Sequence, residues 1–431
     1  MTRFVWFFLL IAAVSVQSDP SQSSAADIPW PSGPFAIGRV SYDWVDPARP
    51  EVLSKVPNTS REIIVDVWYP AAAAKPDTRI APYIPGASQI DKGPFAQAER
   101  NNWGNLWPMI VSGNVQTHVY ENAPVDTGNA HFPLIILSHA FSGEPYAYTH
   151  QIQELVSRGY IVATIHHTYE VTVAKFTDGR MIPFSEENAR GTKAPTLDEM
   201  RKWANPRIDV WAADIRFTLD QITQLNTAPA QKVPFAGRVD LGRVGVLGHS
   251  FGGVAAARAC ELERRIKACL NQDGALGQPI LRYEGGHMPT QPYMFMSSPP
   301  PGPPSDEELK AMQLTRKQFD QDRTESLAMV EKEFQDCSGG AYQVTVGIAG
   351  FRHNSFTDIP LLRAVGNPRD TAKALSSLRV VESYTVAFFD KFLNGVHDTL
   401  IDRGPDKNSE VQIKRYSQSS LRQPSHKGRG R

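Results

Sequence analysis

A doubly wound α/β domain, with a mostly parallel sheet and helices on both faces, is the fold class this sequence predicts. Three observations carry that expectation. The run Phe132-Pro133-Leu134-Ile135-Ile136-Leu137-Ser138 is apolar without alternation, as a strand buried on both faces must be. Runs of this kind take turns along the chain with stretches of helical spacing, which is the pattern of parallel strands joined by crossover helices. Between one such strand and one such helix stands Gly248-His249-Ser250-Phe251-Gly252, a turn tight enough to want glycine on both sides of its serine.

Taken in order, residues 35–42 read as an edge strand and 62–69 as a firmer one, ended by Pro70. Residues 82–117 hold Trp103 and Trp107 among glycine and asparagine with no clean period, and are expected to cover one edge of the sheet. The strand 132–138 is followed by a turn over 139–143 and a helix over 149–158 closed by Gly159. Residues 160–165 form the next strand, with His166 and His167 at its carboxyl end. Ile208, Trp211, Ile215, Leu219 and Ile222 keep helical spacing, so a long helix over 206–225 precedes the serine strand at 243–247. The small residues of 253–260 suit a helix packed close beneath the turn. Strands follow at 266–271, 293–296 and 342–348, and an amphipathic helix at 378–393. A proline-rich start and a charged, helix-favouring stretch make an inserted segment of about 299–337. A single domain thus spans 28–400, and 402–431 reads as a disordered basic tail.

Composition narrows the function. The net charge is zero with 45 basic and 45 acidic residues, so no clustered basic face points to nucleic acid. Residues 1–18 have a basic start and an apolar core too short for a comfortable membrane span. They read as a secretory leader, with cleavage as far along as 26 and an uncleaved anchor as the alternative. Secretion or periplasmic export follows. Three cysteines, Cys260, Cys269 and Cys337, are too few for a disulfide scaffold, and one must stay unpaired within the monomer. Oligomeric state has no signature here.

A bare G-x-S-x-G arises by chance roughly 0.1 to 0.2 times in a chain of this length. Its weight comes from the strand before it, the helix after it, and partners in the expected order of serine, acid, histidine. Of the histidines after Ser250, His287 precedes a strand, His397 follows a helix and His426 is in the tail. His353 alone sits in a loop directly after a strand near the end of the sheet, and is the candidate base. Asp273 leaves the strand after the elbow helix and is the candidate acid; Asp358, so close to His353 in sequence, is expected to cap the next turn. The oxyanion donors are main-chain amides, one from Phe251 and one from the turn after the 134–137 strand, at Phe141. His139 and His249 are expected to pack rather than react. No metal, nucleotide or other cofactor is implied: His166 and His167 lack further ligands at metal spacing, and the glycine-rich phosphate motifs are missing.

With these residues placed, the sequence resembles the platelet-activating-factor acetylhydrolase family of the α/β-hydrolase fold, from about residue 38 to 395. The resemblance is carried by Val65-Asp66-Val67-Trp68-Tyr69-Pro70, by 132–141, by 239–253 with its Gly-His-Ser-Phe-Gly-Gly elbow, by Asn271-Gln272-Asp273, by 291–295 and by 353–358. It implies Ser250 as nucleophile, Asp273 as acid, His353 as base and the Phe141 and Phe251 amides as oxyanion donors. It also implies metal-free hydrolysis of small-molecule or lipid esters, among them short or oxidised acyl chains of glycerophospholipids, and with them transient contact to a membrane or lipid surface. The sequence departs in reading Ser138-His139-Ala140-Phe141 where Ser-His-Gly-Leu is common, and in its long insert, both near the expected acyl and leaving-group pockets. The helix 384–392 looks like that of bacterial dienelactone-hydrolase-like and polyester-hydrolase relatives, so general carboxylesterase activity is equally implied. The alternatives on the same fold are acyl transfer, peptide hydrolysis or a catalytically silent binding module.

Overall fold

A computed structural model describes residues 25–72, 78–128, 131–185, 187, 197–229, 232–274, 288–299, 302–311, 314–404 and 410–416. The expected leader and the end of the expected tail lie outside these residues. Among the described residues ten strands form one sheet. In chain order they are β1 (Ala36–Pro50), β2 (Ser60–Ala71), β3 (Val119–Glu121), β4 (Phe132–Ser138), β5 (Ile161–His166), β6 (Val239–His249), β7 (Ile266–Gln272), β8 (Tyr293–Ser297), β9 (Ala341–Val346) and β10 (Val411–Tyr416). Across the sheet the order is β10-β9-β8-β7-β6-β4-β5-β2-β1-β3. The six strands from β9 to β5 in that order are mutually parallel, while β10, β2 and the β1–β2 pairing are antiparallel.

The mixed, mostly parallel sheet is the architecture expected from the apolar runs. Strand β4 shows why: Leu134 and Ile136 enter the core on one face and Ile135 and Leu137 the core on the other, all buried. Each residue of such a strand needs an apolar side chain, so the run cannot alternate.

Helices α1 (Ala87–Asp91), α2 (Ala96–Trp103) and α3 (Trp107–Val111) bring Trp103 and Trp107 into the core on one face, where 82–117 is expected to cover an edge of the sheet. That face is shared by α4 (Thr149–Ser157), through Ile152 and Leu155. The other face takes Trp211, Ile215 and Leu219 of α5 (Leu197–Leu225) and Ala255, Ala256 and Ala259 of α6 (Phe251–Leu262). The insert is not an appendage: α7 (Asp306–Ala311) and α8 (Arg316–Asp336) are the crossover from β8 to β9. Thr315 and Gln318 cap α8 reciprocally, each side chain bonding the other's main-chain N–H. The short α9 (Ile359–Arg363) leads into α10 (Pro368–Leu393), which packs Leu378, Val381 and Phe388 on the α4 side.

Four expectations need correction. The strand expected over 35–42 runs from Ala36 to Pro50 and is not the edge, because β3 pairs outside it. The long helix begins before Pro206, at Leu197, and carries that proline inside it. The final amphipathic helix begins ten residues earlier than expected, at Pro368, where Asn367 caps it by accepting from the Asp370 amide. Residues 411–416 are not disordered: they pair with all six residues of β9 as the antiparallel edge strand β10. An edge strand with one wet face buries little, so its polar sequence carries no core signature.

Candidate active site

Strand order reverses at β4: β5 lies to one side of it and β6, the next strand of the sheet in sequence, to the other. A crevice opens at the carboxyl ends of strands flanking such a reversal. The turn after β4 and the elbow after β6 both sit there.

Ser250 has φ 56° and ψ −124°, a left-handed backbone that a serine adopts only under constraint. The constraint comes from its neighbours. A Cβ on Gly248 would lie 2.1 Å from the Gly252 carbonyl oxygen, and one on Gly252 would lie 2.3 Å from the carbonyl oxygens of both Ser138 and His139. The elbow is therefore pressed into itself and against the turn after β4, and side chains at either glycine would force them apart. The Ser250 amide donates to the Gln272 carbonyl at 2.8 Å, tying the elbow to β7 as well.

That bond fixes the next residue along β7. Asp273 also has positive φ, at 52°, and its amide donates to the Met296 carbonyl at 2.7 Å. Its carboxylate accepts from His353 Nδ1 at 2.8 Å and from the Ser298 amide and hydroxyl, each at 3.0 Å. Burial alone would raise this carboxyl. The hydrogen bond and charge of His353, aided by His249 and the Ser298 amide, hold it below its ordinary range instead. Asp273 is thus an anion with three donors and little room to turn.

His353 opens a single 3₁₀ turn, His353–Phe356, after β9. Its side chain is 44% exposed, so the imidazole faces the crevice while Nδ1 is held from behind. The structure therefore brings Asp273 and His353 together as expected. Among the described residues Ser250 Oγ makes no hydrogen bond, so of the two links, Ser250–His353 and His353–Asp273, only the second is closed. The ring of His249, one residue before Ser250, lies 4.6 Å from that of His353.

In the turn after β4, the Ala140 amide donates to the Tyr148 hydroxyl and the Ser142 amide to the Glu170 carbonyl. The Gly143 amide closes the turn on the Ala140 carbonyl. Among the described residues the amides of Phe141 and Phe251 have no protein acceptor, leaving both to donate to a bound group. Phe141 packs edge-on against Phe184 and Trp203 and near Phe251, forming an aromatic wall beside these amides.

The histidines expected to pack do so, each in one tautomer. His139 is buried, donates from Nδ1 to the Ala140 carbonyl and accepts the His167 amide at Nε2. Burial, reinforced by His167 nearby, holds its pKa well below the ordinary value. His166 and His167 face two different carboxylates, Asp66 at 3.0 Å and Asp214 at 2.7 Å, rather than a common point. His397 is exposed and remote, and His287 and His426 lie outside the described residues. Asp358 does not cap the next turn. It stands at the N-cap of α9, but its buried carboxyl accepts from the Tyr83 hydroxyl and the His150 amide, and burial pushes it up to about 7. Sequence reasoning missed Tyr148, Ser298 and Trp203. Ser298 had a signal in its place, directly past the end of β8, whereas the two aromatics look like any core residue.

The description "Platelet-activating factor acetylhydrolase, isoform II" matches residues 21–394. A "Probable 1-alkyl-2-acetylglycerophosphocholine esterase" of Arthroderma benhamiae is 25% identical over 418 residues, covering 92% of this chain and 95% of the relative. A "Platelet-activating factor acetylhydrolase" of Cavia porcellus is 26% identical over 179 residues, 38% of this chain and 39% of the relative. Among solved structures, a ferulic acid esterase from Streptomyces cinnamoneus superposes with a TM-score of 0.64 at 25% identity, over 90% of this chain and 99% of its own. A match across nearly the whole length, together with an esterase neighbour of the same α/β-hydrolase architecture, means that the chain belongs to the platelet-activating factor acetylhydrolase family and is an ester-hydrolysing enzyme.

Proposed function

We propose that the chain is an exported serine ester hydrolase with Ser250 as nucleophile, His353 as general base and acid, and Asp273 as the group that orients His353. Ser250 Oγ attacks the ester carbonyl carbon while its proton passes to His353 Nε2. The bond to the leaving alcohol then breaks as that proton moves to the alcohol oxygen, and the acyl group stays on Ser250. Water enters, gives a proton to the same nitrogen and attacks the acyl carbon; the acid departs and Ser250 Oγ regains its proton. In both tetrahedral intermediates the negative oxygen faces the Phe141 and Phe251 amides. Asp273 keeps Nδ1 protonated, so that Nε2 is the nitrogen that accepts.

One observation carries this reading: a serine on left-handed backbone stands at the strand-order reversal, and the ring of the residue before it lies 4.6 Å from an imidazole open to the crevice whose Nδ1 is already bonded to a carboxylate at 2.8 Å. For substrate, the name of the fungal relative supports short acyl esters of glycerophospholipids, and the aromatic wall at Phe141, Phe184 and Trp203 suits an apolar acyl group. Export is supported by the leader-like residues 1–18 and by the Cys260–Cys269 disulfide, which belongs in an oxidising compartment.

A fluorophosphonate probe, a chain-length series of p-nitrophenyl esters and a short-acyl phospholipid test it. Ser250→Ala is expected to abolish labelling and to lower turnover by about 10⁴-fold or more. Full labelling of that variant would move the nucleophile elsewhere. The mass of the protein recovered from the host's exported fraction reads the leader: retention of residues 1–18 would overturn cleavage there.

A further inference from the structure

His249 precedes the elbow serine and is 2% exposed, and its two ring nitrogens have different partners. Nε2 lies 3.0 Å from the His353 carbonyl oxygen, which can only accept, so Nε2 carries the proton. Nδ1 lies 2.8 Å from the Tyr148 hydroxyl, which must then donate to it. The Tyr148 oxygen in turn accepts the Ala140 amide at 3.1 Å. The hydrogen bonds run in one direction: Ala140 N–H to Tyr148, Tyr148 O–H to His249 Nδ1, and His249 Nε2–H to the His353 carbonyl. The ends of this chain are the residue beside the Phe141 amide and the main chain of His353 itself. Its middle is the residue next to Ser250.

We infer that Tyr148 and His249 are positioning residues that hold the Phe141 amide and the His353 imidazole in one spacing around Ser250. The inference rests on the roles proposed above for those three residues, and adds to them a device that touches no substrate. Every link has a single donor direction, so the chain has one arrangement rather than two. Burial, with His353 close by, holds the His249 pKa well below its ordinary value, which keeps Nδ1 free to accept. Tyr148 is itself fixed by its buried ring, which meets His249 edge-on at 5.7 Å.

The same loops have other anchors. Gln151 donates to the Phe356 carbonyl, and the Asp358 amide donates to the Ala147 carbonyl at 2.7 Å. Loss of the Tyr148 hydroxyl therefore releases the spacing without detaching the His353 loop. Tyr148→Phe keeps the ring and removes one oxygen, stranding both the Ala140 amide and His249 Nδ1. His249→Gln retains a donor toward the His353 carbonyl and loses the aromatic acceptor.

The test uses the full-length enzyme, p-nitrophenyl acetate and fluorophosphonate labelling. Tyr148→Phe is expected to lower kcat by about 10- to 100-fold, with KM changed by less than about threefold, because misplaced groups weaken the transition state rather than substrate binding. His249→Gln should fall in the same range, and the double variant should be little worse than the weaker single, since both break one chain. Multiplied losses would mean two unconnected packing effects and would overturn the proposal. So would wild-type kcat in Tyr148→Phe accompanied only by a lower Tm. Nitrogen-15 NMR of the histidines in the unmutated enzyme gives a reading that needs no variant: a neutral His249 ring protonated at Nε2 is expected, and a ring protonated at Nδ1 would overturn the chain. Failure of the catalytic reading looks different. In that case Ser250→Ala would keep its labelling and turnover while the tautomer of His249 stood as described.

Discussion

Two histidine–aspartate pairs in this molecule have almost the same hydrogen bond and opposite surroundings. His167 Nδ1 meets Asp214 at 2.7 Å with both side chains fully buried, and His353 Nδ1 meets Asp273 at 2.8 Å with the imidazole 44% exposed. At His167 the second nitrogen is already bonded to Ser138 Oγ at 2.9 Å, and the ring is stacked on Trp211 at 3.8 Å. Asp214 is gripped on both oxygens by Arg61 and on one by Arg49. At His353 the second nitrogen faces the crevice, and Asp273 accepts from His353 Nδ1 and from the Ser298 amide and hydroxyl. The pair alone is thus no sign of catalysis; what distinguishes the two is whether the far nitrogen has been left with work to do. Burial of His167 and Asp214 beneath the turn after β4 makes that pair a support, whereas the exposure of His353 leaves its pair able to act as the reagent proposed above.

Matched substitutions break the comparison most sharply. Asp273→Asn should reduce kcat by about 10⁴-fold through the wrong imidazole tautomer, with unfolding free energy nearly unchanged. Near-normal turnover would assign the orienting role to another group. Asp214→Asn should do the reverse. It leaves Arg61 buried at 2% exposure with half its acceptors weakened, and is expected to cost about 3–5 kcal/mol in urea unfolding, while kcat per folded molecule stays within a few fold. Equal loss of kcat in both variants would erase the distinction between support and reagent.

How much of this was legible in the sequence follows the same division. The Ser250 elbow is local: glycine spacing, the apolar strand before it and the small-residue helix after it all act within a dozen residues, so the pattern shows through. Asp273 and His353 could be proposed because each lies in the segment that follows a strand, Asp273 directly and His353 in the loop after β9, which reduces a three-dimensional question to order along the chain. The support region has no such shortcut. Asp214 lies mid-helix in α5, where a carboxylate usually faces water, and only folding brings it against Arg61 from β2 and His167 from the end of β5. Tyr148 is hidden for the same reason, its two partners being 8 and 101 positions away. The strand β10 was missed because pairing at a wet edge asks for backbone rather than for apolar side chains.

The smallest expected effect probes the buried region by pH. His167 is held down to about 4, by burial first and despite Asp214, so the unfolded chain, near 6.5, binds more protons than the fold between those values. Its contribution to stability is therefore present above 6.5 and is lost as pH falls toward 4. Glu170, which accepts from the Trp211 indole at 2.5 Å and lies 3.9 Å from Arg61, is pushed up to about 7, chiefly by burial. Here the fold binds more protons than the unfolded chain, so its contribution is present below about 4.5 and is lost as pH rises through 7. The two windows overlap with opposite signs and nearly cancel in the unmutated protein. Substitution separates them. Relative to the unmutated protein, Glu170→Gln should gain stability as pH rises from 4.5 to 7, and His167→Gln should lose it from 4 to 6.5, each by on the order of 1–3 kcal/mol. Urea midpoints at half-unit pH steps give both slopes, and slopes of the same sign would show that the two groups beneath the turn after β4 are not held in opposite protonation states.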